Sequence, residues 1–266
     1  MKIAIIGTGI AGNVAAYKLR QQHDITVFES GHYVGGHTNT VDVFEGGRQI
    51  AVDTGFIVFN DRTYPNFIHL LDEIGQESQP SEMSFSAQAK DDGVEYCGSS
   101  LNAMFAQRRN LLRPKFYRMI RDILRFNEAG LPGVNDLDDA MVLGDYLRQN
   151  GYGYEFTEHY LIPMAAAIWS AEPGLVLEMP VKFLLRFFAN HGLLQLRDRP
   201  QWRVIKGGSR EYVSKLVHGH REQIRLNSPV QSIRRVDDQV EIRSASGGSE
   251  FFDYVFVACH SDQALA

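Results

Sequence analysis

The sequence predicts an α/β fold in which a mostly helical insertion separates two parts of one parallel-sheet domain. Three observations carry this prediction. An Ile-rich run at the amino terminus leads directly into a turn with the spacing G-x-G-x-x-G at residues 7–12. After Tyr64 the apolar period changes from two residues to about 3.6, which indicates helices. After Arg203 short apolar runs return, which indicates strands.

The glycine-rich turn has the residues that a dinucleotide requires between a strand and a helix. Gly7 permits the tight turn, Gly9 lets the backbone approach a pyrophosphate, and Gly12 lets the helix pack closely on the sheet. Ile10 and Ala11 then begin a helix whose free N–H groups and positive dipole end favour phosphate. This is the first half of a Rossmann-like βαβ unit, although such turns also arise for packing alone.

A second apolar strand, Ile25–Phe28, ends at Glu29 and Ser30. A carboxylate at this place can accept hydrogen bonds from both ribose hydroxyls of a bound dinucleotide. It would also repel a 2′-phosphate, so NADP is disfavoured.

A second glycine pair follows the acid, in Gly35-Gly36-His37-Thr38. It can bring further backbone N–H groups to the same pyrophosphate, for which nicotinamide enzymes have no systematic need. The residues therefore predict FAD as the cofactor, with an NAD-dependent dehydrogenase as an alternative that a preference for NAD in a titration would favour.

With these motifs the chain resembles the flavin-containing amine oxidase and phytoene desaturase superfamily. The shared features are the first glycine turn, the acid, and the stretch from Gly35 to Thr40. Most members have Arg where this chain has His37, and a histidine pairs with phosphate only when protonated or as a neutral N–H donor. The run Asp53–Pro65 resembles a bacterial subgroup of predicted FAD/NAD-binding oxidoreductases, whose genes often lie beside cyclopropane fatty-acid synthases.

The resemblance implies further cofactor contacts. Thr54, Gly55 and Phe56 follow a predicted hairpin and would pass close to the flavin ring. Val230 would contact the adenine side through its backbone, and Ala258 would end a strand at the dinucleotide. The alternatives are a tight turn with a core Phe at 54–56, and plain sheet strands at the other two positions.

The predicted domains are residues 1–63, the first part of the FAD-binding domain; 64–200, the helical substrate-domain insertion; and 201–266, the second part of the FAD-binding domain. Helices are expected to start at Pro65 and after Pro114. Within the insertion, Ile162–Ser170 and Phe183–Phe188 could line a cavity for a hydrophobic substrate, although apolar residues at helical spacing are more often core.

Composition limits the partners. A net charge of −5 argues against general nucleic-acid binding, and the two cysteines, Cys97 and Cys259, indicate no disulfide framework and a cytoplasmic protein. We expect no transmembrane segment, since no window approaches roughly 18 uninterrupted apolar residues. Peripheral membrane contact stays open, and the oligomeric state is not predicted. His218 and His220 without a third ligand indicate surface histidines and no metal site.

The preferred function is an FAD-dependent oxidoreductase that takes hydride from a substrate C–H bond to flavin N5, with no catalytic side chain assigned. Because the resemblance implies relatives that continue well beyond Ala266, including a Gly-Asp segment near the ribityl chain, the expectation is a chain lacking its C-terminal part. A non-catalytic dinucleotide-binding module or truncated remnant is therefore the alternative function.

Overall fold

The structure is a computed structural model that describes residues 1–89, 92–130, 134–169, 171–195, 199–245 and 248–265. Its strands, in chain order, are β1 Lys2–Ile6, β2 Asp24–Phe28, β3 Thr40–Glu45, β4 Arg48–Asp53, β5 Phe59–Asn60, β6 Ser78–Pro80, β7 Ser86–Ala89, β8 Val94–Cys97, β9 Trp202–Ile205, β10 Ile224–Arg225, β11 Val230–Val236, β12 Gln239–Ser244, β13 Ser249–Phe252 and β14 Tyr254–Val257.

Helices are concentrated in the middle of the chain. They are α1 Ile10–Leu19, α2 Pro65–Glu73, α3 Leu101–Met104, α4 Pro114–Gly130, α5 Leu143–Gln149, α6 Tyr154–Phe156, α7 Ile162–Trp169, α8 Pro173–Val176, α9 Val181–Asn190, α10 Arg210–Val217 and α11 Ser261–Leu265. A π-helical turn, Thr157–Leu161, joins α6 to α7. The expected helix starts at Pro65 and Pro114 are confirmed.

The chain divides into two compact units, Met1–Ser81 with Trp202–Ala266, and Glu82–Gln201. The sequence placed the first boundary at 63/64, which is 18 residues earlier. The first compact unit extends to Ser81 because α2 packs through Leu70 and Leu71 into a core shared with Phe59 and α10. Strand β6 also pairs with β9 of the same unit. The predicted domain bounds and the roles of the two units stay predictions.

The first unit is built on a parallel four-stranded sheet in the order β10-β2-β1-β14. Strand β1 is central and pairs with β2 on one side and with β14 on the other. Ala4 and Ile5 on β1 are fully buried, as expected for a parallel strand covered on both faces. This sheet, with α1 as the crossover between β1 and β2, confirms the predicted Rossmann-like α/β fold.

Smaller antiparallel sheets complete the first unit: the β3-β4 hairpin, β5-β9-β6, and β11-β12-β13. The hairpin turns at Gly46 and Gly47, both with positive φ, as the sequence predicts.

The second unit is mostly helical and has its own core, into which α4, α5, α7 and α9 each bury apolar residues. Most of the two stretches singled out for a substrate cavity lies in this core: Ile162, Met164, Leu184 and Phe188 are buried. Phe183 is half-exposed. Ser170 lies outside the described residues.

None of the helices in the described part of the chain has both the length and the apolar character needed to cross a membrane.

Candidate cofactor-binding site

The first glycine turn is closed on itself and on the end of β14. Gly7 has a φ of +99°, which favours glycine, and a Cβ there would lie 2.8 Å from the Ala258 carbonyl oxygen. A Cβ on Gly12 would lie 1.9 Å from the Gly7 carbonyl oxygen. The Ala258 N–H donates to the Ile6 carbonyl at 2.8 Å. Gly7, Gly12 and Ala258 are therefore brought together, and each is needed as a small residue for this packing.

Gly9 differs from the other two glycines because space is open where its side chain would be. No described heavy atom lies within 4 Å of a Cβ placed on Gly9. Gly9 is the N-cap residue of α1. Among the described residues, no side chain caps this helix by a hydrogen bond, and its first turn contains no acid. Ile10 is exposed beside it, with Ala11 next in the first turn. The result is a helix N-terminus with open space in front of it, which suits a phosphate group.

Glu29 follows β2 and its carboxylate is held by backbone and side-chain donors. Oε2 accepts from the Thr8 N–H at 2.8 Å and from the Thr8 hydroxyl. Oε1 accepts from the Gly31 N–H at 2.7 Å and from the Ser30 hydroxyl at 3.3 Å. Partial burial raises the pKa of Glu29, but these hydrogen bonds outweigh it and the pKa lies below its ordinary value. The carboxylate is therefore fixed and charged at the end of β2.

The second glycine pair lies against the first turn. A Cβ on Gly36 would be 2.9 Å from the Gly9 Cα, and the φ of Gly36 is +59°. Gly35 has a φ of +135° and accepts the Thr38 N–H at 3.0 Å. Thr38 is buried, and its hydroxyl is hydrogen-bonded to the Tyr212 hydroxyl at 2.5 Å. The loop thus brings Gly35 and Gly36 to the turn, while Thr38 anchors the loop to α10.

His37 and the segment 54–56 are adjacent. The Phe56 N–H donates to the His37 carbonyl at 3.0 Å, and a Cβ on Gly55 would lie 1.9 Å from the same oxygen. Thr54 bonds to Asn39. Phe56 is partly buried, with its ring 5.3 Å from the Phe67 ring, so the core alternative for this Phe has a physical basis. Gly55 is required for close approach of the two segments.

Val230 begins β11 just after a segment that touches the acid. The Ser228 N–H donates to the Glu29 carbonyl at 2.8 Å, and the Asn227 N–H donates to the Gly31 carbonyl at 2.9 Å. Val230 is partly buried against the core cluster that contains Phe28. The segment that leads to Val230 therefore lies beside the end of β2, where Glu29 is located.

The structure adds residues that sequence reasoning missed. Thr8 occupies a variable position of the glycine motif, yet it is fully buried and supplies two donors to Glu29. A hydroxyl in that position, next to a carboxylate expected at the same strand edge, was the available signal. His260 lies just beyond β14, where its ring stacks on that of His37. No short-range pattern connects residues so far apart.

A comparison with protein families identifies this arrangement. The model of the flavin containing amine oxidoreductase family matches residues 10–265. The chain belongs to that family. The resemblance inferred from the glycine motifs is therefore confirmed, and the family decides between the two cofactor alternatives in favour of FAD.

One protein of known activity and two solved structures are similar to this chain. The flavin-dependent L-tryptophan oxidase RebO of Lentzea aerocolonigenes is 32% identical over 266 residues, covering 92% of this chain and 54% of that protein. Cyclohexylamine oxidase from Brevibacterium oxydans IH-35A has a TM-score of 0.68 at 20% identity, covering 97% and 57% of the two chains. A fatty acid isomerase from P. acnes has a TM-score of 0.63 at 17% identity, covering 99% and 60%. The chain thus spans little more than half the length of these relatives.

The residues of this family member fit the cofactor. Open space in front of Gly9, an uncapped helix N-terminus and a fixed carboxylate at the end of β2 offer donors to a diphosphate and an acceptor to a ribose. Among the described residues no cluster of three or more potential metal ligands occurs. His220 corrects one expectation, because it is 1% exposed and is not a surface histidine.

Proposed function

We propose that this chain supplies the FAD-binding core of an FAD-dependent oxidoreductase. The observation that carries the proposal is the open helix N-terminus at Gly9, flanked by the Gly36 backbone on one side and by Glu29 at the end of the next strand. When bound, FAD would accept at its flavin N5 the hydride that leaves a substrate C–H bond.

The roles of the side chains follow from their positions. Gly7, Gly9 and Gly12 would let the backbone and the N-terminus of α1 approach the diphosphate. Glu29 would accept a ribose hydroxyl, and because Thr8 and Gly31 already hold the carboxylate, little ordering of this side chain would be needed on binding. Gly35 and Gly36 would add backbone N–H groups. Thr54 to Phe56, Val230 and Ala258 would complete the wall around the cofactor.

We further propose a hydrophobic, lipid-like small molecule as substrate. The second unit contains a cavity of about 450 Å³ whose lining includes Val94, Leu112, Phe116 and Met119. Its polar side includes a buried histidine, His159, whose Nε2 lies 2.8 Å from Asp92 Oδ2. Arg113, Lys115 and Glu155 also line the cavity, so the polar end of such a molecule would find charged partners beside the apolar wall. A cytoplasmic location is also proposed, on the basis of cysteine content alone.

The test is the visible absorption spectrum of the purified protein, alone and after reconstitution with FAD, followed by release and identification of the chromophore. We expect flavin bands and an FAD stoichiometry near one per chain. A folded protein that takes up no FAD would overturn the proposal and support the non-catalytic module. Reduction of the bound flavin by a panel of lipids and amines, followed anaerobically, would then test the oxidoreductase activity.

A further inference from the structure

Two histidines from distant parts of the chain stack on each other beside the glycine turn. The rings of His37 and His260 are nearly parallel, with centroids 5.3 Å apart and an angle of 8° between their planes. Both residues are exposed. In the described part of the chain neither imidazole forms an ion pair with a carboxylate. The pair is therefore accessible to an anion from solvent.

The backbone places this pair at the site of the diphosphate. His37 directly follows Gly36, whose backbone lies against Gly9. His260 is two residues beyond Ala258, whose carbonyl oxygen lies against Gly7. Each imidazole is thus within two residues of backbone that touches the turn before α1.

Stacking of two imidazoles has an electrostatic consequence. If both rings carry a proton, two like charges face each other at short range, which disfavours double protonation. An anion placed against both rings removes that penalty and favours the doubly protonated pair. Because only the protonated form of histidine carries a charge, anion binding by such a pair would strengthen as the pH falls.

We propose that His37 and His260 together form an anion clamp for the cofactor diphosphate, one that strengthens as the pH falls. The inference rests on the proposed function above, because it concerns the same site. At the His37 position an arginine would hold the diphosphate at every pH. The histidine pair replaces that constant charge with one that is present in acid and lost in base.

Several described titratable groups lie beside the pair in the sequence or at the adjoining loop. The Tyr33 hydroxyl donates to the Gly36 carbonyl at 2.9 Å, and the His32 ring packs on the Tyr33 ring at 5.2 Å. Cys259 precedes His260, and Asp262 follows it in the first turn of α11. The Glu29 carboxylate is already bonded to Thr8 and Gly31. Asp262 is the acid nearest to His260 in the sequence, so Asp262→Asn should preserve or strengthen the effect.

The first experiment measures FAD affinity by flavin fluorescence between pH 5.5 and pH 8.5. For the natural protein we expect affinity to rise about tenfold from pH 8.5 to pH 5.5, in line with the gain of charge on imidazole. His37→Gln and His260→Gln should each flatten the dependence, and His37→Arg should give tight binding with little change with pH. The matched control is His218→Gln, an exposed histidine at the end of α10, which should leave the dependence intact. Equal slopes in the natural protein and the His37→Gln/His260→Gln double variant would overturn the inference.

A second measurement separates this inference from the proposed function. Inorganic pyrophosphate is added while the ring protons of His37 and His260 are followed by NMR as a function of pH. We expect both titration midpoints to move to higher pH, with His218 unmoved. If FAD fails to bind but pyrophosphate shifts both midpoints, the anion clamp stands and the proposed cofactor role falls. If FAD binds and neither midpoint responds to pyrophosphate, the proposed function stands and the clamp is refuted.

Discussion

The Glu29 carboxylate is the residue on which ribose recognition is proposed to depend. It is charged and held in place by Thr8 and Gly31. Replacing it by Ala in Glu29→Ala removes a charged acceptor, so we expect FAD binding to weaken by about 1–3 kcal/mol, the usual value of a lost charge-assisted hydrogen bond. The dissociation constant from a fluorescence titration measures this loss.

The control for Glu29 lies at the other end of the same strand. Asp24 begins β2 and is exposed, so Asp24→Ala removes an equal charge without touching the site. Its effect on FAD affinity should be small. Equal weakening by the two substitutions would mean that net charge, and not a ribose contact, is responsible.

Substitution of Gly9 in the first turn is expected to affect protein stability and FAD affinity differently. Ala at Gly9 meets no described atom within 4 Å, so Gly9→Ala should change the free energy of unfolding by less than about 0.5 kcal/mol. It should nevertheless weaken FAD binding by at least about 1.4 kcal/mol, or tenfold, because the methyl group enters the space proposed for the diphosphate. Urea denaturation and an FAD titration measure the two quantities.

Gly12→Ala is the contrasting variant. Its methyl group would lie 1.9 Å from the Gly7 carbonyl oxygen, which forces α1 away from the turn. We expect a loss of about 1–3 kcal/mol of stability, as is usual for overpacking. If Gly12→Ala were as stable as the natural protein while Gly9→Ala unfolded, the assignment of the two glycines would be reversed.

At the level of elements, Asp53 joins the β3-β4 hairpin to the start of α10. Its carboxylate accepts the Ser209 N–H at 2.9 Å, the Ser209 hydroxyl at 2.9 Å and the Thr40 hydroxyl at 2.6 Å. Asp53→Ala leaves these donors without their acceptor, so we expect about 1–3 kcal/mol of destabilisation in urea.

A second acid on the same hairpin is the matched comparison for Asp53. Asp42 pairs with Arg210 on α10 through two contacts of 2.7 Å, but Arg210 is 41% exposed. Exposed ion pairs contribute little, so Asp42→Ala should cost less stability than Asp53→Ala. A larger loss for Asp42→Ala than for Asp53→Ala would contradict the importance assigned to partly buried hydrogen bonds.

The elements also show what a sequence can and cannot predict. The βαβ unit, the hairpin at Gly46 and the helix starting at Pro65 were predictable because each depends on a local pattern of glycine, proline and apolar spacing. By contrast, the Ser209 hydroxyl before α10 lies 2.9 Å from both Asp53 Oδ2 and the Phe56 carbonyl oxygen, which share its single proton. That arrangement depends on a contact 156 residues away, which no local pattern reports.

For the molecule as a whole, His220 links stability to pH. Burial, and secondarily the nearby charge of Arg20, lowers the pKa of His220 to about 4 from its ordinary value of 6.5. Between these values the unfolded chain binds the proton and the folded protein does not, so stability falls as the pH drops from about 6.5 to about 4. The contribution reaches up to about 3 kcal/mol.

His220→Phe tests this linkage, because phenylalanine has a similar shape and does not titrate. Carboxylates also titrate in this range, so the quantity to compare is the difference in unfolding free energy between natural protein and variant at pH 4.5 and pH 7. We expect the natural protein to lose more stability on acidification. His218→Gln should behave as the natural protein does, and parallel pH profiles for natural protein and His220→Phe would disprove the linkage.

Only some residues of the candidate cofactor site could be predicted from the sequence. The glycines and Glu29 were recognisable because each has a fixed place in a βαβ unit. Thr8 and His260 were not, since their importance arises from partners that the fold brings to them. The compact first unit also extends past the predicted bound at residue 63, because a helical pattern alone does not reveal that α2 packs with α10.

The central position of β1 has a consequence for the timing of synthesis. Its partner β14 begins at Tyr254, about 250 residues after β1. At about 5–20 residues per second, the ribosome needs roughly 10–50 s to deliver β14 after β1 has emerged. During that interval one edge of an apolar, Ile-rich strand lacks its neighbour, and Gly7 lacks the Ala258 backbone that closes the turn. We therefore expect a nascent chain that needs chaperone protection at its first strand and acquires its cofactor only after β14 has emerged from the ribosome.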